Sequence, residues 1–269
     1  MKKLLMNHPM ASYYAIVWLI SLLMVPVMSL NSPFIQIQFA PAISVLVFFL
    51  ITGKNDLFAP FKNSMKLTLS HFKWLLVIVF VTFVPNAAVS LSLSFMGKPF
   101  SPWSDSVYGY ISIIIGELIL GVTCEEIGWR GFLLPVLHKR YSLFKSTMLV
   151  AVLWGIWHLP VYWSLGVIGC AAFFISLIEF SFILTFFYAK GRGSLFLSIA
   201  THICINGSAL LLYYNRMSQA ALGFTALFFG IAGLVIVLSG KKIFFKDTYE
   251  DTFKISNGDV SESQKIGNF

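Results

Sequence analysis

The sequence predicts an all-α fold, a polytopic transmembrane helical bundle of about eight spans with both termini cytoplasmic, and three observations carry that expectation. Of 269 residues, 58% are hydrophobic and only 11% are charged, and the mean hydropathy is +0.82, far from the usual soluble balance. Apolar runs recur at lengths near the ~20 helical residues needed to cross about 30 Å of hydrocarbon. The basic residues between those runs alternate from side to side.

Eight runs are expected to be spans: 11–30, 34–52, 74–95, 107–134, 146–165, 167–189, 194–214 and 218–239. Lys2 and Lys3 precede the first run as they would a secretory signal. Its apolar part is too long for an h-region and no small-residue cleavage site follows, so it reads as an uncleaved span. With the N-terminus inside, the cytoplasmic segments hold Lys2 and Lys3, then Lys54, Lys62, Lys66 and Lys73, then Lys139, Arg140 and Lys145, then Lys190 and Arg192, then five lysines after the last run. Sixteen of the 19 basic residues are thereby accounted for, leaving Lys98 and Arg216 outside and Arg130 within a helix. This is the positive-inside pattern.

The net charge of +8 is thus a topology signal. It forms no dense patch or nucleic-acid motif, so the expected partner is the lipid bilayer and no nucleic acid. No internal repeat or linker divides the chain, and residues 1–240 are expected to form one transmembrane domain. Residues 241–269, ending in NGDVSESQKIGNF, read as a polar, mobile cytoplasmic tail.

Glu117, Glu125, Glu126, Arg130, His158, Glu179 and His202 fall inside the expected spans, where an ionised side chain costs about 2.5–3.5 kcal/mol. Either paired charges hold helices together, or a reactive site is built at membrane depth. In TCEEIGWRGF, Glu126 and Arg130 are four apart and can pair on one helix face, while Glu125 is turned about 100° away. Glu126 is therefore expected to be structural, and Glu125 to be the carboxylate left for chemistry. In LWGIWHLP, His158 lies one turn after Trp154, and Pro160 removes a helical hydrogen bond beside it, predicting a local kink. In THICIN, His202 and Asn206 share a face, an arrangement also expected of two residues that bridge helices. Counted from the flanking cytoplasmic residues, Glu125, His158, His202 and Asn206 all lie about 15–21 Å into the membrane. Pro135 is expected to distort the end of the fourth span.

Glu117, eight residues before Glu125, is calculated about 80° around an α-helix from it and about 12 Å along the axis, so it reads as structural or pore-lining. Glu179 reads as hydrogen-bonded rather than facing the site. Cys124, Cys170 and Cys204 read as small apolar fillers, and Trp18 and Trp74 as interfacial anchors.

EEIGWR, WGIWH and HICIN resemble, in that order, the EExxxR, aromatic-xxx-His and HxxxN motifs of the CPBP family, also called the Abi or type II CAAX protease family. The resemblance covers roughly residues 107–215. The second motif usually begins with Phe, where this chain has Trp154. The resemblance implies an intramembrane endopeptidase in which Glu125 and His158 hold and activate water, His202 and Asn206 stabilise the oxyanion, and Glu126, Arg130 and Trp154 support the site. Hydrolysis needs a base for water and donors aimed at the developing negative charge, so these residue types suit that chemistry.

Members are described both as metalloproteases and as glutamate-dependent. Glu125, His158 and His202 form a possible Zn²⁺ ligand set, although HExxH and a close cysteine pair are absent from the sequence. The implied substrate is a membrane-associated peptide or lipidated protein, either prenylated and CAAX-like or of the bacteriocin or signal-peptide type. The implied location is a bacterial plasma membrane. Two other functions fit the same residues: a non-catalytic peptide-binding immunity or scaffold protein, and a proton-coupled transporter.

Overall fold

The computed structural model describes residues 2–28, 37–53, 64–98, 104, 106–212, 215, 218–245 and 248–253. Among them there is no β-strand, and each of the eight apolar runs contributes a helix: α1 Pro9–Met28, α2 Ala40–Thr52, α3 Leu69–Phe95, α4 Val107–His138, α5 Leu143–Tyr162, α6 Gly166–Lys190, α7 Leu195–Leu211 and α8 Gln219–Ser239. The membrane estimate differs from eight equal spans. By length and composition α3, α4, α5, α6 with the turn before it, and α8 are long and apolar enough to cross, whereas α1, α2 and α7 contribute shorter apolar stretches.

The 13 residues of α2 reach only about 20 Å at 1.5 Å each. Its ends are set by local chemistry. Pro41 stands in the first turn, where its missing N–H is harmless. Gly53 closes the helix in the left-handed region at φ 67°, its N–H donating to the Phe49 carbonyl.

Apolar side chains cover the outside of the bundle, with Leu76 and Phe80 of α3, Leu120 of α4 and Leu234 of α8 all exposed. Polar side chains such as Asn86, Glu125, Glu126 and Arg130 are buried. This inversion is what a hydrocarbon solvent asks of a bundle. The ammonium groups of Lys73 and Lys190 each lie 5.3 Å from the Trp74 ring centre, which brings the start of α3 and the end of α6 to one end of the bundle. Both residues are on the side that the charge pattern makes cytoplasmic.

The middle of α4 packs against α2 and α7, while α7 also packs on α3, and α6 joins α5, α7 and α8. Helix α4 is not uniformly α-helical. Two π-helical stretches, Ile113–Gly121 and Trp129–Leu133, flank the α-helical turns Val122–Gly128 that carry both glutamates. Such i→i+5 turns are rare and concentrate at functional sites. The second lies just before Pro135, whose ring would crowd the carbonyl four residues back in an α-helix, and the wider turn gives it room. Pro160 stands inside α5, near its end. Helix α5 continues through it to Tyr162, and the pitch changes in the 3₁₀ turn Trp163–Leu165.

Part of the expected tail is helical in this structure, over Lys241–Phe245 and Tyr249–Phe253. Phe244 is buried against Phe182, and Thr252 Oγ1 lies 3.2 Å from His138 Nε2 at the end of α4. Residues 254–269 of that tail lie outside the described residues, as do Lys54, Lys62, Arg216, and 29–36 between the first two runs.

Candidate active site

Glu126 and Arg130 pair as their spacing predicts, with Arg130 Nη1 donating to Glu126 Oε1 at 2.9 Å and both side chains fully buried. The pair does not stand alone. Arg130 Nη2 donates to Ser181 Oγ of α6 at 2.7 Å, Ser198 Oγ of α7 donates to Glu126 Oε2 at 2.6 Å, and His202 Nδ1 donates to Glu126 Oε1 at 2.9 Å. The guanidinium also lies 4.7 Å from the Trp154 ring centre, within cation–π range. A buried ion pair is sustained only when such extra bonds offset its desolvation. This cluster ties α4, α5, α6 and α7 together at one level.

Glu125 has a different environment. Its Oε1 accepts from Gln38 Nε2 at 2.9 Å and its Oε2 from Trp154 Nε1 at 2.7 Å, so each oxygen has one neutral donor and none of these bonds comes from a cation. Trp154 is thus more than an aromatic wall in place of the family's Phe, because the indole adds an N–H that Phe lacks. Glu125 faces a cavity of about 100 Å³ lined also by Trp154, His158, His202 and Asn206, with room for several waters. The four residues singled out from three motifs therefore line one space.

Both histidines are held through Nδ1, but by different partners. His158 Nδ1 lies 2.9 Å from the Trp154 carbonyl. A carbonyl only accepts, so Nδ1 carries the proton and Nε2 of the neutral ring presents a lone pair. The ring sits among Trp154, Trp157, Tyr162 and Phe173. His202 Nδ1 is held by the Glu126 carboxylate, so its Nε2 donates only when the ring is an imidazolium. The pairing of His202 with Glu126 was not foreseen from the sequence, which grouped His202 with Asn206 alone.

The possible ligand set Glu125, His158 and His202 does not fit a metal as arranged here. Among the described residues no three His, Cys, Asp or Glu side chains group closely enough to hold an ion.

Glu117 lines the same cavity, the pore-lining alternative of its sequence reading. It sits in the first π stretch, where each residue turns through less than 100° and residues eight apart fall closer to one face. Glu179 departs from the hydrogen-bonded reading: its Oε2 is buried without a hydrogen-bond partner among the described residues, and the side chain packs against Gly230 and Gly233 of α8.

Several polar residues here escaped the motif reading. Ser198 lies one turn before His202, a spacing that could have flagged it. Asn86 is an intramembrane carboxamide that donates to the Ile205 carbonyl at 2.9 Å and to Ser208 Oγ at 2.6 Å, seating α7 next to Asn206. Gln38 and Ser181 carried no periodic signal.

Comparison with known proteins adds to this geometry. Residues 108–208 match the family model described as type II CAAX prenyl endopeptidase Rce1-like. Over those residues the chain is similar to this family. The matched Rce1-like residues contain all three motifs and nearly coincide with the 107–215 expected from them. The chain is also 32% identical over 139 residues to CAAX prenyl protease 2 of Methanococcus maripaludis, covering 48% of this chain and 50% of that protein. It spans about half the length of that relative. The apolar helices and the Rce1-like similarity together support an integral multi-pass membrane protein.

Proposed function

We propose that the protein is an intramembrane endopeptidase in which Glu125 and His158 activate a water and His202 and Asn206 stabilise the oxyanion. One observation carries this reading: four polar side chains from α4, α5 and α7 line a single cavity of about 100 Å³ within a bundle of apolar helices. A water between Glu125 and the His158 Nε2 lone pair gives up a proton as its oxygen attacks the scissile carbonyl. The negative charge forming on the carbonyl oxygen meets the His202 imidazolium and the Asn206 carboxamide N–H. Glu126 holds the opposite nitrogen and so fixes the orientation of the His202 ring. The proton taken from water passes to the leaving amine, the C–N bond breaks, and the carboxylate is restored. No step is routed through a metal.

The substrate is a membrane-associated peptide, because the cavity lies within a bundle of apolar helices. The relative's name, CAAX prenyl protease 2, supports a prenylated CAAX-like peptide over a bacteriocin or signal-type one. The charge pattern and compact loops suit a bacterial plasma membrane.

Glu125→Gln in the purified, reconstituted chain tests the assignment. Loss of a general base lowers cleavage of a farnesylated CAAX-type peptide by about 10²–10⁴-fold. A binding or scaffold protein instead gives no peptide product with either chain and keeps its affinity for the peptide after the substitution.

A further inference from the structure

Gln38 lies outside residues 108–208 and outside every motif, yet its side chain reaches the carboxylate assigned to water activation. It projects from the turn before α2 and donates from Nε2 to Glu125 Oε1 at 2.9 Å, across 87 residues of sequence. A carboxylate offers only acceptors, so this contact fixes which end of the amide faces Glu125. The other end, Gln38 Oε1, is buried and has no hydrogen-bond partner among the described residues. It rests on Gly121, where an added Cβ would overlap both Oε1 and Cδ of Gln38.

The backbone does not require glycine there. Gly121 has φ −60° and ψ −53°, which any residue adopts, and glycine inside a helix is about 1 kcal/mol worse than alanine. What glycine provides at this position is space. The space is filled by the Gln38 carboxamide, one turn of α4 before the glutamate that it holds.

We infer that Gln38 is a positioning residue for Glu125, seated by the missing side chain at Gly121. With Gln38 on one oxygen and Trp154 on the other, the carboxylate cannot rotate, and its remaining lone pairs face the cavity. This inference rests on the proposed role of Glu125 as the group that activates water.

Two substitutions break the arrangement from opposite sides. Gln38→Met keeps the length of the side chain and removes the donor, whereas Gly121→Ala keeps Gln38 and Glu125 and displaces the carboxamide. In the full-length reconstituted chain each lowers kcat for peptide cleavage by about 10- to 100-fold, the worth of one hydrogen bond to a charged group. KM stays within about twofold, because the ground-state contacts to substrate are untouched. The double variant is no slower than the slower single one, since both remove the same contact. Native kcat in Gln38→Met, or losses that multiply in the double variant, overturns the inference.

Infrared difference spectra, native minus Glu125→Gln, isolate the Glu125 carboxylate bands without any turnover. Those bands move in Gln38→Met and Gly121→Ala if Gln38 is the donor, and unmoved bands reject it. A native chain that cleaves no peptide therefore removes the endopeptidase reading, while the infrared arm still decides the role of Gln38. Should one variant fail to fold, the other carries both measurements.

Discussion

Trp154 shows how one side chain can serve two neighbours. Its ring face receives the Arg130 guanidinium and its ring nitrogen donates to Glu125, so it links the charge cluster to the carboxylate beside the cavity. Trp154→Phe separates these duties, because the ring face stays and only the N–H is lost. Removing a hydrogen bond to a charged group is worth about 1.5–3 kcal/mol, so kcat is expected to fall about 10- to 100-fold with thermal stability little changed. Steady-state kinetics beside a thermal melt in the same detergent checks this, and an unchanged kcat would make the indole N–H incidental. The adjacent glutamates make the same point about environment. Glu126 is bonded to Arg130, Ser198 and His202, while Glu125 meets two neutral donors and the cavity.

At the scale of elements, α4 decides which residues face inward. The π stretches Ile113–Gly121 and Trp129–Leu133 bracket the two glutamates, and each behaves as an insertion into an α-helix that changes the facing of everything beyond it. Deleting one residue from the first stretch, Ile115 for example, lets ordinary α-turns form, and eight α-helical steps then set Glu117 about 80° around the axis from Glu125. The deletion variant is expected to insert into membranes at native levels and to lose cleavage. Full activity in it would mean that the π geometry has no part in building the site. Helix α7 is anchored as firmly, by Asn86 of α3 on one side and Glu126 of α4 on the other. His202 and Asn206 inherit their placement from those two contacts.

The whole molecule is a membrane bundle turned inside out relative to a soluble one. Leu69, Phe95 and Val167 are exposed, while the ionic cluster lies in the interior. The clustering of Lys73 and Lys190 around Trp74 supports the proposal that these helix ends are cytoplasmic. That proposal puts both chain ends on the same side. Single cysteines at Lys3 and Thr248, in a background with Cys124, Cys170 and Cys204 replaced by alanine, are expected to react with a membrane-impermeant thiol reagent in inside-out vesicles and not in right-side-out ones. Labelling of the two positions from opposite sides would require an odd number of crossings and discard the eight-span topology.

The sequence by itself determined the helical membrane fold, because hydropathy and the alternation of lysine and arginine are properties of the chain read in order. It also identified Glu125, Glu126, Arg130, His158, His202 and Asn206, because an ionisable or amide side chain in an apolar run is conspicuous and helical spacing tells which neighbours share a face. Only the tertiary structure decided who bonds whom between helices. Gln38 reaches Glu125 across 87 residues, His202 answers to Glu126 through 76, and Arg130 meets Ser181 through 51. Those partners are set by how helices pack, and a turn or a lone serine in an apolar run has no period that announces it. Whether Glu117 was structural or pore-lining stayed open for a related reason: a π turn changes the angular step between residues, and the spacing argument had assumed the α-helical one throughout.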